Sequence, residues 1–509
     1  MSQTLRRRAS KFLLLAALGV MLFTTNRWIT FFDDEVTIIT AAASPIHRTL
    51  LLFQAGEGVH EHPPLYDLLF HFWLQLTDAR FGALRLPGIF CYLLGLWLLS
   101  RAAYELGCSS SSWAVLWMGA LWPYAYHYGR VAAWYPFCFL IVAGLTLAYL
   151  RLAAQPSVGR WGVVLVLAAA LVYTNYFGWA MLGCLAFDFA LRRHANRRPV
   201  WRPLLLSAGV LVLAYLPLWL SFFNEIRTGT GFHLSLIPTI LWGGFQFYNV
   251  FVSESVAPWF LVLGIPACVC IGVCILLTLK CAPPPARRFF IYGMLLIVVM
   301  TAIGIINARR LLPIGAWLLL PIGVILGSLP SSRSRALLSA ALCGILMIGW
   351  YGIIFRQHYS APRFIEPWQQ VAGEAADRAR AGAMIIGNHP SFFFYLKYAL
   401  HNPGDPERWQ MLQSSGFSYP VFDAGEWMIA RHPLVSEMYY VRGAPGPPQE
   451  GEAWEAEQWL DNHCRLIAAR QMLPAPSSLI ITRFIPEVDE LPWRIRVRQY
   501  SCSIPSSYR

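Results

Sequence analysis

The start of the chain decides the fold, because residues 6–35 read RRRASKFLLLAALGVMLFTTNRWITFFDDE. Three arginines precede an apolar run from Phe12 to about Phe32, and three carboxylates follow that run directly. This order is typical of a signal peptide or of a first transmembrane helix, but no small-x-small cleavage site follows the run. We therefore interpret it as a retained transmembrane helix that starts in the cytoplasm.

Further apolar runs of similar length follow, and together they predict about eleven transmembrane helices. The later ten lie near residues 84–104, 112–127, 133–151, 161–174, 176–191, 203–222, 257–279, 289–306, 309–327 and 335–355. Of the 509 residues, 57% are hydrophobic and 13% are charged. This composition excludes a disordered chain, a coiled coil and a secreted disulfide scaffold. We expect an all-α polytopic membrane protein.

The charge divides the chain after Phe355. Residues 1–355 contain 25 Lys/Arg and 11 Asp/Glu, whereas residues 356–509 contain 15 and 16. The basic excess lies in short loops, with 17 Lys/Arg on the predicted cytoplasmic side of the membrane part and 8 on the other. This bias indicates membrane orientation rather than nucleic-acid binding. An odd number of spans predicts a membrane domain over 1–355 and an extracytoplasmic soluble domain over 356–509 of an inner-membrane protein.

Two predicted outer loops, about 31–83 and 223–256, contain apolar stretches of their own. Leu65–Leu76 is too short to span and predicts an interfacial or re-entrant helix. Leu234–Val252 is either a further span or an interfacial helix. We prefer the interfacial interpretation, because an extra crossing would invert the charge bias of all later loops.

The tail has the pattern of a small α/β domain. Its predicted elements are helix 366–380, strand 383–386, helix 391–400, and strands 438–441, 466–471, 479–484 and 493–500. Cys464 and Cys502 are the two tail cysteines, and on the oxidising side they can form a disulfide if the geometry allows. The other nine lie in or beside apolar runs, where free cysteine acts as a small hydrophobe.

Carboxylates are concentrated just after the first span. Seven of the 11 acidic residues of the membrane part are Asp33, Asp34, Glu35, Glu57, Glu61, Asp67 and Asp78. Such a cluster is either a solvated loop or a site for general-base chemistry or cation binding at the membrane surface.

One segment of this loop, His60-Glu61-His62-Pro63-Pro64, has metal-ligand residue types. Three ligands from one short loop are a weak signal for a divalent cation, and we predict no certain cofactor or metal. The two prolines instead predict a fixed entry into the following helix.

Arginines lie at two further outer positions. Arg130 follows Tyr126-His127-Tyr128-Gly129, and Arg309-Arg310 lie between two spans with almost no loop. At its depth Arg130 needs an anionic partner or a water-filled cavity. Arg309-Arg310 either snorkel towards lipid headgroups or bind a phosphate through the guanidinium fork. Outer carboxylates together with outer arginines suit a substrate with a phosphate on an apolar tail, such as a polyprenyl-phosphate sugar.

The ordered motifs resemble the GT-C membrane glycosyltransferases, in the branch of the dolichyl-phosphate-mannose protein mannosyltransferases and the lipid A aminoarabinose transferase. The residues that carry this resemblance are Asp34-Glu35, His62-Pro63-Pro64-Leu65-Tyr66, Phe81-Gly82, Ala83-Leu84-Arg85-Leu86-Pro87, Trp122-Pro123, Tyr128 to Tyr135, Tyr173-Thr174-Asn175-Tyr176-Phe177-Gly178, Arg309-Arg310-Leu311-Leu312-Pro313 and Glu366-Pro367-Trp368. The resemblance covers about residues 10–400.

The resemblance implies an inverting transfer of a sugar from a polyprenyl-phosphate donor to an extracytoplasmic lipid, glycan or protein acceptor. It implies Asp34 as the general base, beside Glu35 and Asp33, and Arg309 or Arg310 as the ligand of the lipid phosphate. Further substrate contacts implied by the motifs are Glu61, His62, Arg130, Tyr135 and Tyr176. Many members have an arginine two residues before the tyrosine matched to Tyr135; here that position is Ala133, which leaves the role of Arg130 open.

Two alternatives belong to other classes, a transporter and a sensor, and a third is another kind of enzyme. A lipid-linked sugar flippase or other transporter would show polar mid-span residues and paired halves, and we find neither. A membrane-anchored sensor would not need the outer carboxylates and arginines. An O-antigen ligase-like enzyme is expected to lack the Asp-Glu pair after the first span.

Overall fold

The computed structural model describes residues 3–26, 29, 31, 33–47, 50, 62–78, 80–195, 201–228, 236–303, 308–329, 332–357, 367–400, 421–424, 437–444, 452–472 and 494–502. The chain divides into two compact units. The spanning unit consists of Met1–Asn26, Ser44–Phe72 and Leu84–Arg356, and the second unit of Arg27–Ala43, Trp73–Ala83 and Gln357–Arg509. Two segments of the predicted first outer loop therefore belong to the same unit as the tail, whereas the sequence predicted one boundary after Phe355.

Helices form most of the described structure. In chain order they are α1 Gln3–Thr24, α2 Asp33–Ala43, α3 Leu65–Leu76, α4 Leu86–Leu106, α5 Ser109–Leu121, α6 Pro123–Tyr128, α7 Trp134–Ala154, α8 Val158–Val172, α9 Gly178–Ala195, α10 Trp201–Ala214, α11 Trp219–Thr228, α12 Leu236–Val252, α13 Leu261–Cys281, α14 Pro284–Ala302, α15 Leu312–Ser328, α16 Ser332–Ile354, α17 Trp368–Arg380, α18 Pro390–Leu400 and α19 Glu452–His463. The predicted fold class, a helical polytopic membrane protein with a small α/β domain, is confirmed.

Within the described residues, six helices are long and apolar enough to cross a membrane, or seven if one bent pair forms a single span. The six are Phe81–Leu106, Trp134–Ala154, Leu261–Cys281, Pro284–Ala302, Arg309–Ser328 and Arg333–Ile354. The bent pair, Arg202–Ala214 and Leu216–Asn224, turns by 52° at Tyr215. Pro217 lies just after this bend, where it cannot donate a backbone hydrogen bond.

A helix lies at each of the eleven predicted spans, but four of them do not reach the length and composition of a span. The run near 112–127 is broken because Pro123 starts a new helix after α5. Helix α8 has only 15 residues, and α9 contains Asp188, Arg192 and Arg193. Whether these segments and α1 cross the bilayer stays a prediction.

Two predicted short helices are present. Helix α3 has the expected bounds, Leu65–Leu76, and 12 residues. Helix α12, which corresponds to the predicted stretch Leu234–Val252, has 17 residues and is not among the candidate spans of the described chain. Ile237 and Ile240 on α12 are exposed, whereas Asn249 near its end is fully buried.

Helix α15 forms the centre of the spanning unit and packs against α4, α5, α7 and α14. Small residues allow its close approach to α5. A Cβ atom on Gly323 would lie 2.4 Å from Val115 Cγ2, and one on Gly327 would lie 2.2 Å from Ser111 N. This spacing of glycines four residues apart is typical of tightly packed membrane helices. The close packing fixes the turn that precedes α15 in the chain.

The tail forms a five-stranded mixed sheet. The strands are β1 Met384–Gly387, β2 Val421–Asp423, β3 Glu437–Ala444, β4 Arg465–Met472 and β5 Arg494–Ser501, arranged in the order β2-β1-β3-β5-β4. Strand β1 pairs in parallel with β2 and β3, whereas β5 is antiparallel to β3 and β4. The predicted strand 479–484 lies outside the described residues.

A disulfide and an aromatic cluster tie the second unit together. Cys464 and Cys502 form the disulfide that the sequence allowed, next to the start of β4 and the end of β5. Phe31 contacts Phe81 and Phe394, with ring centroids 5.0 and 5.7 Å apart. The Phe31 amide donates a hydrogen bond to Tyr395 Oη at 2.5 Å. These contacts hold the start of α2 against α18.

Candidate functional site

The end of α12 places a carboxylate in the spanning unit. Ser253 has a φ of +73°, a conformation that is costly for a residue other than glycine, and its amide donates a hydrogen bond to Asn249 O at 2.7 Å. This turn ends the helix and is followed by Glu254. Trp122 Nε1 donates a hydrogen bond to Val250 O at 2.6 Å, which fixes the end of α12 against the start of α6.

Glu254 is half-buried and interacts with a tyrosine and an arginine. Tyr128 donates a side-chain hydrogen bond to its carboxylate, and the positive charge of Arg309 acts on it. Burial raises the pKa of the Glu254 carboxyl, and these two interactions act in the opposite direction. The carboxylate is therefore subject to the charge of an arginine that the sequence assigned to a lipid phosphate.

Arg309 and Arg310 lie in a single 3₁₀ turn, Ala308–Leu311, immediately before α15, and both are partly exposed. Helix α12 packs against this turn. Pro313 in the first turn of α15 favours the helix start there. The two arginines are thus held on a rigid part of the spanning unit, where their guanidinium groups can bind an anion.

Two amide side chains on α12 were not recognised in the sequence. Gln246 and Asn249 are 2% and 0% exposed. Neither amide atom of Asn249, nor Gln246 Oε1, has a hydrogen-bond partner in the described part of the chain. Unpaired buried amides are costly, and they occur mainly where a ligand or water completes them. Their spacing of three residues in an otherwise apolar stretch was the available signal.

His62 and Asp67 come together at the start of α3. His62 Nε2 lies 4.0 Å from Asp67 Oδ1, and both residues are buried. Burial raises the pKa of the Asp67 carboxyl well above its ordinary value. The His62 ring contacts Trp134, which in turn contacts the ring of Tyr135 at 4.4 Å. Two predicted substrate residues, His62 and Tyr135, therefore both contact the ring of Trp134.

Arg130 is fully buried and binds protein groups. Its Nη1 donates hydrogen bonds to Leu22 O at 3.1 Å and to Thr25 Oγ1 at 2.7 Å, and its Nε donates to Tyr126 O at 2.7 Å. The guanidinium also lies over the Tyr126 ring, 3.9 Å from its centroid. These contacts connect the segment after α6 to the end of α1, and the predicted substrate contact of Arg130 stays a prediction.

The remaining predicted residues lie elsewhere. Tyr176 packs in an aromatic cluster with Phe222, 5.8 Å between ring centroids. His60 and Glu61 lie outside the described residues, as does the Asp33 side chain. Among the described residues, no group of three or more His, Cys, Asp or Glu is arranged to hold a metal ion.

Asp34 and Glu35 belong to the second unit, in the first turn of α2. Glu35 is 1% exposed, whereas Asp34 is partly exposed. The apolar residues Val36 and Ile39 of α2 are buried, and α2 packs against α18. Adjacent positions on one turn therefore place one carboxylate inside the unit and the other at its surface.

No family model matches the sequence, and no curated protein matches it significantly. Two solved structures are similar over nearly the whole chain. The crystal structure of ArnT from Cupriavidus metallidurans bound to undecaprenyl phosphate is 14% identical and has a TM-score of 0.55, with coverage of 96% of this chain and 97% of that chain. The apo structure of the same protein is 13% identical and has a TM-score of 0.57, with coverage of 97% and 98%. The predicted resemblance is therefore confirmed at the level of the fold, because the chain shares the fold of ArnT over nearly its whole length.

Proposed function

We propose that this integral membrane protein is a glycosyltransferase that takes a sugar from a polyprenyl-phosphate donor. The observation that carries the proposal is the fold shared with ArnT, which was solved with undecaprenyl phosphate and is covered almost from end to end. The arginine turn before α15 supports it independently, because it places two guanidinium groups on one turn that packs against α12 and α15.

The spanning unit supplies the phosphate side of the reaction. Without donor, the charge of an ionised Glu254 offsets part of the charge of Arg309. A bound phosphate takes over this role, and Arg310 gives a second guanidinium on the same turn. Gln246 and Asn249 supply amide groups on the helix that packs against the turn. A phosphate leaving group needs stabilisation of its negative charge rather than a proton. The two arginines and the two amides provide this stabilisation.

Asp34, in the first turn of α2, is the proposed general base, as the sequence resemblance implies. Asp34 takes the proton of an acceptor hydroxyl, whose oxygen forms a bond to the sugar C1 as the bond from C1 to the phosphate oxygen breaks. The electron pair of the broken bond stays on the lipid phosphate. Because attack and departure occur on opposite faces in one displacement, the configuration at C1 inverts. The acceptor is a lipid, a glycan or a protein.

The proposed orientation places this chemistry and the tail outside the cytoplasm. It rests on the excess of Lys/Arg in the loops assigned to the cytoplasmic side, including Arg192, Arg197, Arg198 and Arg202. A reporter that is active only outside the cytoplasm should give signal when fused after Phe355 and none when fused after Arg198. Signal at Arg198 would reverse the orientation.

Mass spectrometry of envelope lipids and glycans tests the proposed function. Cells that produce the protein should contain one sugar-modified acceptor that is missing from cells without it or with Asp34→Asn. Glu105→Gln is the matched control, since Glu105 is an exposed carboxylate whose described ion pair is with Arg151. Identical lipid and glycan profiles in all four strains would contradict the proposal.

A further inference from the structure

An apolar groove lies in the spanning unit between α7, α8, α9 and α10. It has a volume of about 260 Å³, and its lining includes Tyr149, Trp161, Gly183, Phe189 and Leu204. All lining residues are apolar or aromatic except Ser207. The adjacent side chains of Val166 and Leu205 are 69% and 68% exposed, as expected for a surface that faces lipid tails.

One wall of this groove leads to a buried charge cluster. Asp188 of α9 is 2% exposed. Its Oδ2 accepts a hydrogen bond from Tyr149 Oη and lies 2.7 Å from Arg192 Nε. Its Oδ1 accepts hydrogen bonds from Arg288 Nη1 at 2.8 Å and from Tyr292 Oη at 3.3 Å. The Tyr149 ring both lines the groove and lies 5.7 Å from the Arg192 guanidinium carbon.

This cluster has more positive charge and more donors than its carboxylate can use. Two arginines and two tyrosines share the two oxygens of Asp188. Arg192 Nη2 is buried with no acceptor in the described part of the chain. A second anion would satisfy such donors, and a guanidinium group suits a phosphate.

We propose that the groove and the cluster together form a binding site for an anionic phospholipid, with an acyl chain in the groove and the phosphate at Arg192 and Arg288. An anionic lipid is the occupant because the groove requires an apolar chain and the arginines require an anion. Basic pockets between membrane helices on the cytoplasmic side are typical of such sites. Arg192 lies in the last turn of α9 and Arg288 near the start of α14, both at the predicted cytoplasmic end. The site is separate from the Arg309 turn.

Glycines on two neighbouring helices give a matched pair of variants. A Cβ atom added at Gly183 in α9 or at Gly209 in α10 would meet no heavy atom within 4 Å. Gly183 lines the groove, and Gly209 does not. Gly183→Leu therefore fills the groove, whereas Gly209→Leu changes helix propensity and surface apolarity to the same degree elsewhere.

Native mass spectrometry of the full-length purified protein tests the site, with phosphatidylglycerol and phosphatidylcholine of the same chains added in turn. The wild type should retain more phosphatidylglycerol than phosphatidylcholine. Gly183→Leu, which fills the groove, and the double variant Arg192→Gln/Arg288→Gln should each lower this retention by about tenfold or more. For the double variant, this is the loss expected when a charge-assisted contact is removed. Gly209→Leu should retain the lipid as the wild type does.

Three outcomes would overturn the proposal. The first is equal retention of both lipids by the wild type. The second is undiminished retention of phosphatidylglycerol by Gly183→Leu. The third is that Arg309→Gln loses retention of phosphatidylglycerol while Gly183→Leu keeps it. This result would place the lipid at the proposed donor site instead.

Discussion

Buried and exposed carboxylates are held in different ways in the two units. In the spanning unit, the buried Asp188 lies beside two arginines and two tyrosine hydroxyls. In the second unit, Glu457 is buried against three arginines, whereas Asp34 stays partly exposed. A buried, charged carboxylate therefore depends on nearby cations in either unit, whereas a residue that must collect a proton needs an accessible surface.

Asp34→Asn should have the largest effect, because it removes the base and keeps the shape of the side chain. A positioned general base contributes roughly 10²–10⁴ in rate, so sugar transfer should fall by about that factor while binding of the lipid phosphate is unchanged. Transfer is measured with membranes that contain the endogenous donor. Asp33→Asn should be milder. If Asp33→Asn is inactive and Asp34→Asn active, the base is Asp33; if both are active, α2 is not the acceptor side.

Removing the disulfide should destabilise the second unit and leave the spanning unit unchanged. Cys464→Ser/Cys502→Ser opens a link across 38 residues and should destabilise the second unit by roughly 2–4 kcal/mol. Hydrogen exchange should therefore accelerate in β3 and β5 and stay unchanged in α15. Cys343→Ser, at an exposed free cysteine, is the control. Unchanged exchange in β3 and β5 would show that the sheet does not depend on the link.

Arg309→Lys tests the phosphate side. The change keeps the charge but loses the bidentate guanidinium fork, so binding of undecaprenyl phosphate should weaken by roughly 1.5–3 kcal/mol. Arg335→Lys, at the start of α16, is the control. If Arg309→Lys and Arg310→Lys both bind undecaprenyl phosphate as the wild type does, these arginines do not hold the phosphate.

Glu254→Gln should strengthen the binding of undecaprenyl phosphate, and its effect should be smaller than that of Arg309→Lys. It removes the anion that competes with phosphate for Arg309, so the dissociation constant should fall about fivefold at neutral pH, as for a partly screened ion pair. Burial raises the pKa of Glu254, so acidification protonates the wild type and frees Arg309. The ratio of the two dissociation constants should therefore approach one as the pH falls, and a ratio that stays constant would contradict this role.

Local features of the fold could be predicted from the sequence. The apolar runs placed helices at all eleven expected positions, and the bounds of α3 were as predicted, because polar residues interrupt the sequence on both sides of Leu65–Leu76. In the tail, short apolar or aromatic stretches indicated β1, β3, β4 and β5. The count of spans was less certain because Pro123 divides one run and the charges of α9 interrupt another.

Features that depend on tertiary packing could not be predicted. The sequence assigned Arg309 to a phosphate but gave no sign of Glu254, because their approach requires α12 to pack against the turn Ala308–Leu311. Arg130 was assigned to substrate, and its contacts with Leu22 and Thr25 depend on how α1 ends. The grouping of α2 with the tail depends on aromatic contacts of Phe31.

Binding of undecaprenyl phosphate to the purified protein tests the central claim most directly, with undecaprenol, which lacks the phosphate, as the comparison ligand. We expect the wild type and Asp34→Asn to bind undecaprenyl phosphate alike and to bind undecaprenol at least tenfold more weakly, since the charge-assisted contacts with arginine are lost. Equal affinity for the two lipids would contradict the account, because the arginine turn would then contribute nothing to recognition.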